Sequence, residues 1–322
     1  MKKQTLLLCT ALLASALLGT ASQAEEVSVR VGSLKGPTSM GIVSLMDKAE
    51  AGDTACDYEF TMCTAADELL AQVIGNNVDI AMVPANVSSV LYNKTEGTVS
   101  VIDINTLGVL YIVECQESIS SVSDLKGKTI YLTGKGTSPD YVLQYLLAKN
   151  GLSTDDVALE YKSEATEVVS VLAEDDTAIG LLPQPFVTSA CMQNENLRIA
   201  LDLTAEWEKL QEDGSSLVTG VTIVRNEFLE EHPDAVADFL SEHEASASYT
   251  NANVQEAAKL IEAKGIVAKA PIAAKAIPYC NITCIRGEEM KTALEGYLQV
   301  LYDLEPSSVG GALPDSQFYY IP

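Results

Sequence analysis

Val31-Gly-Ser-Leu-Lys-Gly-Pro-Thr-Ser39 has an echo 99 residues later, Ile130-Tyr-Leu-Thr-Gly-Lys-Gly-Thr-Ser138. Each reads as a strand that runs into a Gly-rich turn and then into paired hydroxyl residues. The same offset sets Asp79-Ile-Ala-Met-Val-Pro84 on Ala178-Ile-Gly-Leu-Leu-Pro183, Ala66 on Ala165 and Glu68 on Glu167. The identities are few. The shared order carries more weight: strand, Gly-rich turn, helix, strand, helix, strand, Pro. Two similar α/β lobes in one chain leave a cleft between them, and a cleft is where a ligand binds.

Outward from the echo, period-two and period-3.6 patterns predict the remaining elements. Residues 27–33, 58–62 and 78–83 are expected strands, with helices opening at Thr38 or Ser39 and at Thr64, each capped by a hydroxyl. Residues 99–104 and 106–114 are β-rich with little between them, and are expected to cross into a second lobe. That lobe repeats the program, with a helix over 138–149. Residues 217–224 form the expected second crossing, and from Asn226 onward the chain reads as helical, with one long helix over 227–248. The order is βαβαβ, crossing, βαβαβ, crossing, helices. It predicts an α/β protein whose lobe I combines residues 25–111 with 219–322, and whose lobe II is residues 112–218. The two crossings would act as a hinge.

Lys2-Lys3, an apolar run from Leu6 to Leu18 and Ser22-Gln-Ala24 have the form of an export signal over residues 1–24, with cleavage expected near Ala24. The apolar run is too short to span a bilayer. Without the two lysines, the formal charge moves from −25 to about −27. So acidic a chain argues against nucleic acid and anionic membrane surfaces as partners. Past Cys9 there remain Cys56, Cys63, Cys115, Cys191, Cys280 and Cys284, an even number that permits disulfides in an exported protein. Zinc would need several thiolates to converge, and neither His232 nor His243 lies near a cysteine pair in sequence, so no metal is expected.

Several stretches carry a family likeness. Leu125-Lys-Gly-Lys-Thr-Ile130 resembles a DLKGK lead-in to a strand, and Leu181-Leu-Pro-Gln-Pro185 is similar to a P-x-P strand-end loop. Arg225-Asn-Glu-Phe-Leu-Glu-Glu-His-Pro-Asp-Ala-Val236 and Ala252-Asn-Val-Gln-Glu-Ala-Ala-Lys259 continue in the same order. Together they resemble the solute-binding proteins of ABC importers, in the nitrate/sulfonate/taurine group. The resemblance implies a two-lobed type II periplasmic-binding fold, two Rossmann-like lobes joined by two crossing strands. It further implies delivery of a small ligand to a permease and its ATPase; a monomer without a cofactor is expected. The chain departs from the group's polar-cleft members in having no histidine before residue 232 and no tryptophan in a predicted cleft loop. That puts nitrate and metal-held ligands in doubt.

Ligands of open α/β sheets bind beyond the carboxyl ends of strands, at helix N-termini. The first such loop offers Lys35, Gly36, Thr38 and Ser39. Its counterpart offers Gly136, Thr137 and Ser138; it is neither a Walker A loop nor a dinucleotide fingerprint. Asn86 and Gln184 follow the matched prolines and can both donate and accept. Thr64 caps the second helix, and Gly220 on the second crossing would admit close approach. Free N–H groups with Thr and Ser hydroxyls suit a small anion or a neutral heterocycle. No arginine falls in a predicted cleft loop. His232 and His243 read as surface residues, and Trp207 as packing an edge of lobe II. No catalytic constellation is visible, so a binding protein is expected. The alternatives are an enzyme of the same fold, of the pyrimidine-synthesis or menaquinone-pathway type, and an exported sensory module.

Overall fold

The computed structural model describes residues 27–211 and 214–322. The expected leader and its cleavage site lie outside the described residues. Eleven strands form two sheets: β1 (Ser28–Leu34), β2 (Asp57–Cys63), β3 (Ile80–Pro84), β4 (Val99–Leu107), β5 (Leu110–Glu114), β6 (Thr129–Thr133), β7 (Ala158–Lys162), β8 (Ile179–Pro183), β9 (Arg198–Asp202), β10 (Val218–Arg225) and β11 (Ile282–Ile285). The first sheet has the order β11-β4-β10-β3-β1-β2 and the second β7-β6-β8-β5-β9.

The echo is preserved in the strand register. Arg30 pairs Glu59 and Val31 pairs Ile80 in the first sheet; Thr129 pairs Ala158 and Ile130 pairs Ile179 in the second. Each of these residues is the other's partner shifted by 99. The covering helices repeat as well. Leu69 and Val73 are buried from the Ala66–Ile74 helix, and Val168 and Leu172, at the same offset, from the Ala165–Glu174 helix. Helical period puts both members of each pair on one face, which the sheet then covers.

Where the copies differ is the antiparallel strand beside the repeated Pro. Pro84 of β3 pairs Gly220 of β10, whereas Pro183 of β8 pairs Leu110 of β5. β4 and β5 therefore belong to different sheets, and the chain crosses at Gly108-Val109. A β-carbon at Gly108 would lie 2.1 Å from Thr204 Oγ1 and 2.7 Å from Leu217 Cδ2, so the return crossing presses directly on the first. Asn281 clamps this point: its Nδ2 donates to Gly108 O at 2.6 Å and its O accepts from Leu107 N at 3.1 Å.

Three readings of the sequence change. The long helix expected over 227–248 is two, Asn226–Glu231 and Pro233–Ala252, because Pro233 has no N–H to continue the first. The C-terminal part is not all helical: Ile282–Ile285 is an edge strand pairing β4, in a β-branched stretch that cysteine spacing alone had drawn attention to. Trp207 does not pack a mere edge. It is fully buried, 4.5 Å from the ring of Tyr145 in the second lobe and 5.8 Å from that of Tyr297 on the Gly287–Leu304 helix. The C-terminal helix of one lobe is thus docked on the other. The six cysteines are all thiols, and no described helix is long and apolar enough to cross a membrane.

Candidate functional site

β3 and β4 are each antiparallel to β10, and β1 is parallel to β3, so all three point their carboxyl ends the same way. β4 then feeds straight into β5, whose first residue pairs with the last of β8. The carboxyl ends of the two sheets must therefore face each other across residues 108–109. This junction collects most, not all, of the residues singled out in the sequence.

On the first lobe, Gly36 takes φ 128° and ψ −152°, a conformation essentially reserved for glycine, and is buried. Thr38 is 8% exposed and its hydroxyl donates to Leu34 O at 3.1 Å. Ser39 is fully buried, donating to Leu34 O at 2.5 Å, with Ser33 Oγ at 2.8 Å. Ser39 thus ties the loop to the strand rather than facing the cleft. Neither residue caps a helix: the N-cap is Gly36. A β-carbon at Gly220 would fall 2.7 Å from Thr38 Cγ2 and 2.5 Å from Asn105 Oδ1. Thr38 and Asn105 thus both press on Gly220. Asn105, which the sequence did not point to, is buried; it donates to Thr222 Oγ1 at 3.2 Å and accepts from Thr106 Oγ1 at 2.9 Å.

The lobes touch at Asn86 and Ser138. Ser138 Oγ donates to Asn86 Oδ1 at 3.4 Å, a long bond, while Asn86 Nδ2 donates to Ser308 O at 3.2 Å. Tyr297 is fully buried, and burial pushes its phenol up to about 12, with Ser138 acting the other way. Asn86 and Ser138 stand in the first turns of the Ala85–Lys94 and Ser138–Lys149 helices, neither of which has a side-chain cap. Two helix N-termini without side-chain caps therefore meet at one point. The second is partly answered already: Asp140 Oδ2 accepts from Gly136 N at 2.8 Å, and its Oδ1 accepts from Gln144 Nε2 and Tyr161 Oη, each at 2.8 Å.

Gly136 and Thr137 are exposed, and Thr137 Oγ1 is bonded to Gly134 O at 2.6 Å. Lys35 and Thr64 are also exposed. Thr64 does not cap its helix, whose N-cap is Ala65 without a side-chain bond.

Gln184 is 2% exposed at the end of β8. Its Oε1 accepts from Thr188 Oγ1 at 2.8 Å and from Thr188 N at 3.3 Å. A backbone N–H can only donate, so the amide orientation is determined and Nε2 faces away from Thr188. Nε2 is buried with no partner among the described residues, as is Thr204 Oγ1. Both lie against the crossing: Gln184 N donates to Val109 O at 3.0 Å, and Thr204 Oγ1 abuts Gly108. An unpaired buried polar group costs about 1–3 kcal/mol, so two beside one cleft are a feature a ligand would relieve. Sequence reasoning missed Thr204 because it looks like an ordinary helix start, and Asp202 indeed caps that helix by accepting from Thr204 N at 2.9 Å.

The four arginines are spent elsewhere. Arg30 and Arg225 pair with Asp79, Arg198 with Glu114 and Arg286 with Glu244. A hollow of about 650 Å³ at Asn76, Arg225 and Glu230 opens at the opposite ends of the strands. A groove of about 490 Å³ between Thr188, Cys191 and Met192 of one lobe and Lys275 and Tyr279 of the other adjoins the Gln184 side of the junction.

Solved structures share this architecture. An ABC transporter protein from Parabacteroides distasonis superposes with a TM-score of 0.77 at 24% identity, over 92% of this chain and 99% of its own. The periplasmic aliphatic sulphonate binding protein of Escherichia coli does so with a TM-score of 0.73 at 16% identity, over 92% of each chain. The fold is the two-lobed type II periplasmic-binding fold. Residues 94–257, just over half the chain, match the family described as NMT1/THI5 like, and the chain belongs to that family. A Brucella abortus protein, named as a binding protein without a ligand, is 24% identical over 257 residues, covering 80% of this chain and 76% of that one.

Proposed function

We propose that this chain is an exported solute-binding protein that closes its two lobes on a small ligand and presents it to an ABC-type permease. The observation that carries the reading is the junction itself. Two uncapped helix N-termini meet at Asn86 and Ser138, beside two buried polar atoms, Gln184 Nε2 and Thr204 Oγ1, that have no hydrogen-bond partner among the described residues. Family membership and the basic, then apolar, residues 2–18 support export and capture. Expected ligand contacts are Gly36, Thr38, Asn86, Ser138, Gln184, Thr204 and Gly220.

The chemistry of the site narrows the ligand. Every arginine is ion-paired away from the cleft, so no guanidinium clamp is available for a dicarboxylate or phosphate. Asp140 already occupies one helix N-terminus. A neutral solute, or one carrying a single negative charge, fits such a site, with a hydrogen-bond acceptor toward Gln184 Nε2. The test is a thermal-shift panel of sulfonates, carboxylates, amino acids and heterocycles, with mass spectrometry of solute retained through purification. If no solute is retained or shifts the melting midpoint, and cells lacking the protein import normally, the reading fails.

Thr204→Val gives a prediction of two opposite signs. Valine keeps the shape and removes the unpaired hydroxyl, so the ligand-free protein should gain about 1 kcal/mol in urea unfolding. The same change should weaken ligand about fivefold in calorimetry, since one net hydrogen bond is about 1 kcal/mol and 1.4 kcal/mol is tenfold. Unchanged affinity would remove Thr204 from the site.

A further inference from the structure

Beneath the site the structure brings together three residues far apart in sequence: Asp103 on β4, His243 on the Pro233–Ala252 helix and Cys284 on β11. The sequence reading placed His243 on the surface; it is fully buried, as is Asp103. The reason is that the helix lies flat on the sheet, and the face carrying Val236, Phe239, Leu240 and His243 is the one that packs. Asp103 Oδ2 is 3.1 Å from His243 Nδ1, and its Oδ1 accepts from Thr222 Oγ1 at 2.8 Å. One ligand atom from each of the three residues lies within 4.8 Å of the others. His243 Nε2 has no partner among the described residues.

We propose that Asp103, His243 and Cys284 form a binding site for a borderline-soft divalent cation, zinc or cobalt. The donor set of one carboxylate, one imidazole and one thiolate suits those ions and not magnesium or calcium. Two ligands each about 2.0–2.1 Å from one ion sit about 3.3–3.4 Å apart at tetrahedral angles; Asp103 Oδ2 and His243 Nδ1, now 3.1 Å apart in hydrogen-bond contact, need separate by only a few tenths of an ångström. Charge also balances: a carboxylate, a thiolate and a divalent ion sum to zero, which burial strongly favours. The Thr222 hydroxyl on the second carboxylate oxygen is the outer support that metal-binding carboxylates need. Cys284 is half-buried on the edge strand, so an ion has a way in, and three protein ligands leave a fourth position for water. The ion would stand under the ligand site, because Thr222 also accepts from Asn105 Nδ2 and Asn105 abuts Gly220.

The test uses the full mature protein, stripped with a chelator and titrated with cobalt(II). A thiolate-to-cobalt charge-transfer band in the near ultraviolet should saturate at one equivalent and be displaced by zinc. Cys284→Ala should lose the band while circular dichroism shows the fold intact, Cys191→Ala should keep it, and Asp103→Asn should weaken cobalt at least tenfold. Absence of the band together with no zinc retained in equilibrium dialysis overturns the site, as does a band that survives in Cys284→Ala. Neither result bears on whether the cleft captures a solute.

Discussion

Gly296→Ala is expected to destabilise the protein by about 3 kcal/mol, against the usual sign for such a change. Gly296 lies inside the Gly287–Leu304 helix. An exposed mid-helix glycine replaced by alanine would gain about 1 kcal/mol from backbone entropy and propensity. Here the new β-carbon would stand 2.2 Å from Ser215 Cβ, well inside contact distance, and 3.4 Å from Ser215 Cα. One of the two must move by more than an ångström. The helix cannot do so freely, since Tyr297 beside Gly296 packs against Trp207. Ser215 belongs to the return crossing just before β10, so the strain falls on the connection between lobes. Ser215→Gly removes the clashing atom and leaves an ordinary contact, and the double variant should recover most of the loss. Urea midpoints of the parent, the two singles and the double decide it. A single Gly296→Ala variant as stable as the parent would show that the crossing yields easily.

Asp79→Ala is expected to cost about 3 kcal/mol, because it removes the buried carboxylate that joins Arg30 to Arg225, although Arg225 keeps Glu227 and Arg30 is partly solvated. Asp79 is 3% exposed at the amino end of β3. It accepts from Arg30 N at 3.0 Å and Arg30 Nε at 2.8 Å on β1, and from Arg225 Nη2 at 2.9 Å on β10. One carboxylate thus joins three neighbouring strands. Burial by itself pushes its pKa up, but the hydrogen bonds from Arg30 and Arg225 outweigh that and hold it below the ordinary 3.8. The sign follows from linkage: a carboxyl lowered in the folded state contributes its stability above the ordinary value and loses it as pH falls through the lowered one. Glu114, buried with Ser118, Ile119 N and Arg198, acts the same way in the other lobe: burial raises it, but those bonds lower it further. Stability should therefore fall steeply below about pH 4. In Asp79→Asn the acid limb should be shallower and the neutral-pH stability lower. If the acid slope is unchanged in Asp79→Asn, Asp79 is not a contributor.

The 99-residue echo fared well because it is a statement about strand register, and register is set by local alternation and by where the turns stand. Val31, Ile80, Ile130 and Ile179 could be read from the chain, as could the helix faces of Leu69 and Val168. The site was only partly legible. Gly36, Thr38, Asn86, Ser138, Gln184 and Gly220 fall at the junction. Thr64, Lys35, Gly136 and Thr137 follow strands just as regularly but remain exposed. Nothing within a few residues of Thr64 or Asn86 distinguishes them; what differs is that Ser138 of the other lobe stands opposite Asn86.

Sequence by itself determined the two α/β lobes, their internal pairing and the ends at which they face each other, because those follow from local periodicity repeated twice. Tertiary structure alone decided what lies between and beneath them. Thr204 abuts Gly108, and Gln184 N meets Val109 O, only because the two crossings touch. His243 meets Asp103 and Cys284 only because a helix some 140 residues after β4 lies on that strand and on the edge strand beside it. Contacts between distant segments depend on how whole elements pack, and no window of sequence contains both partners.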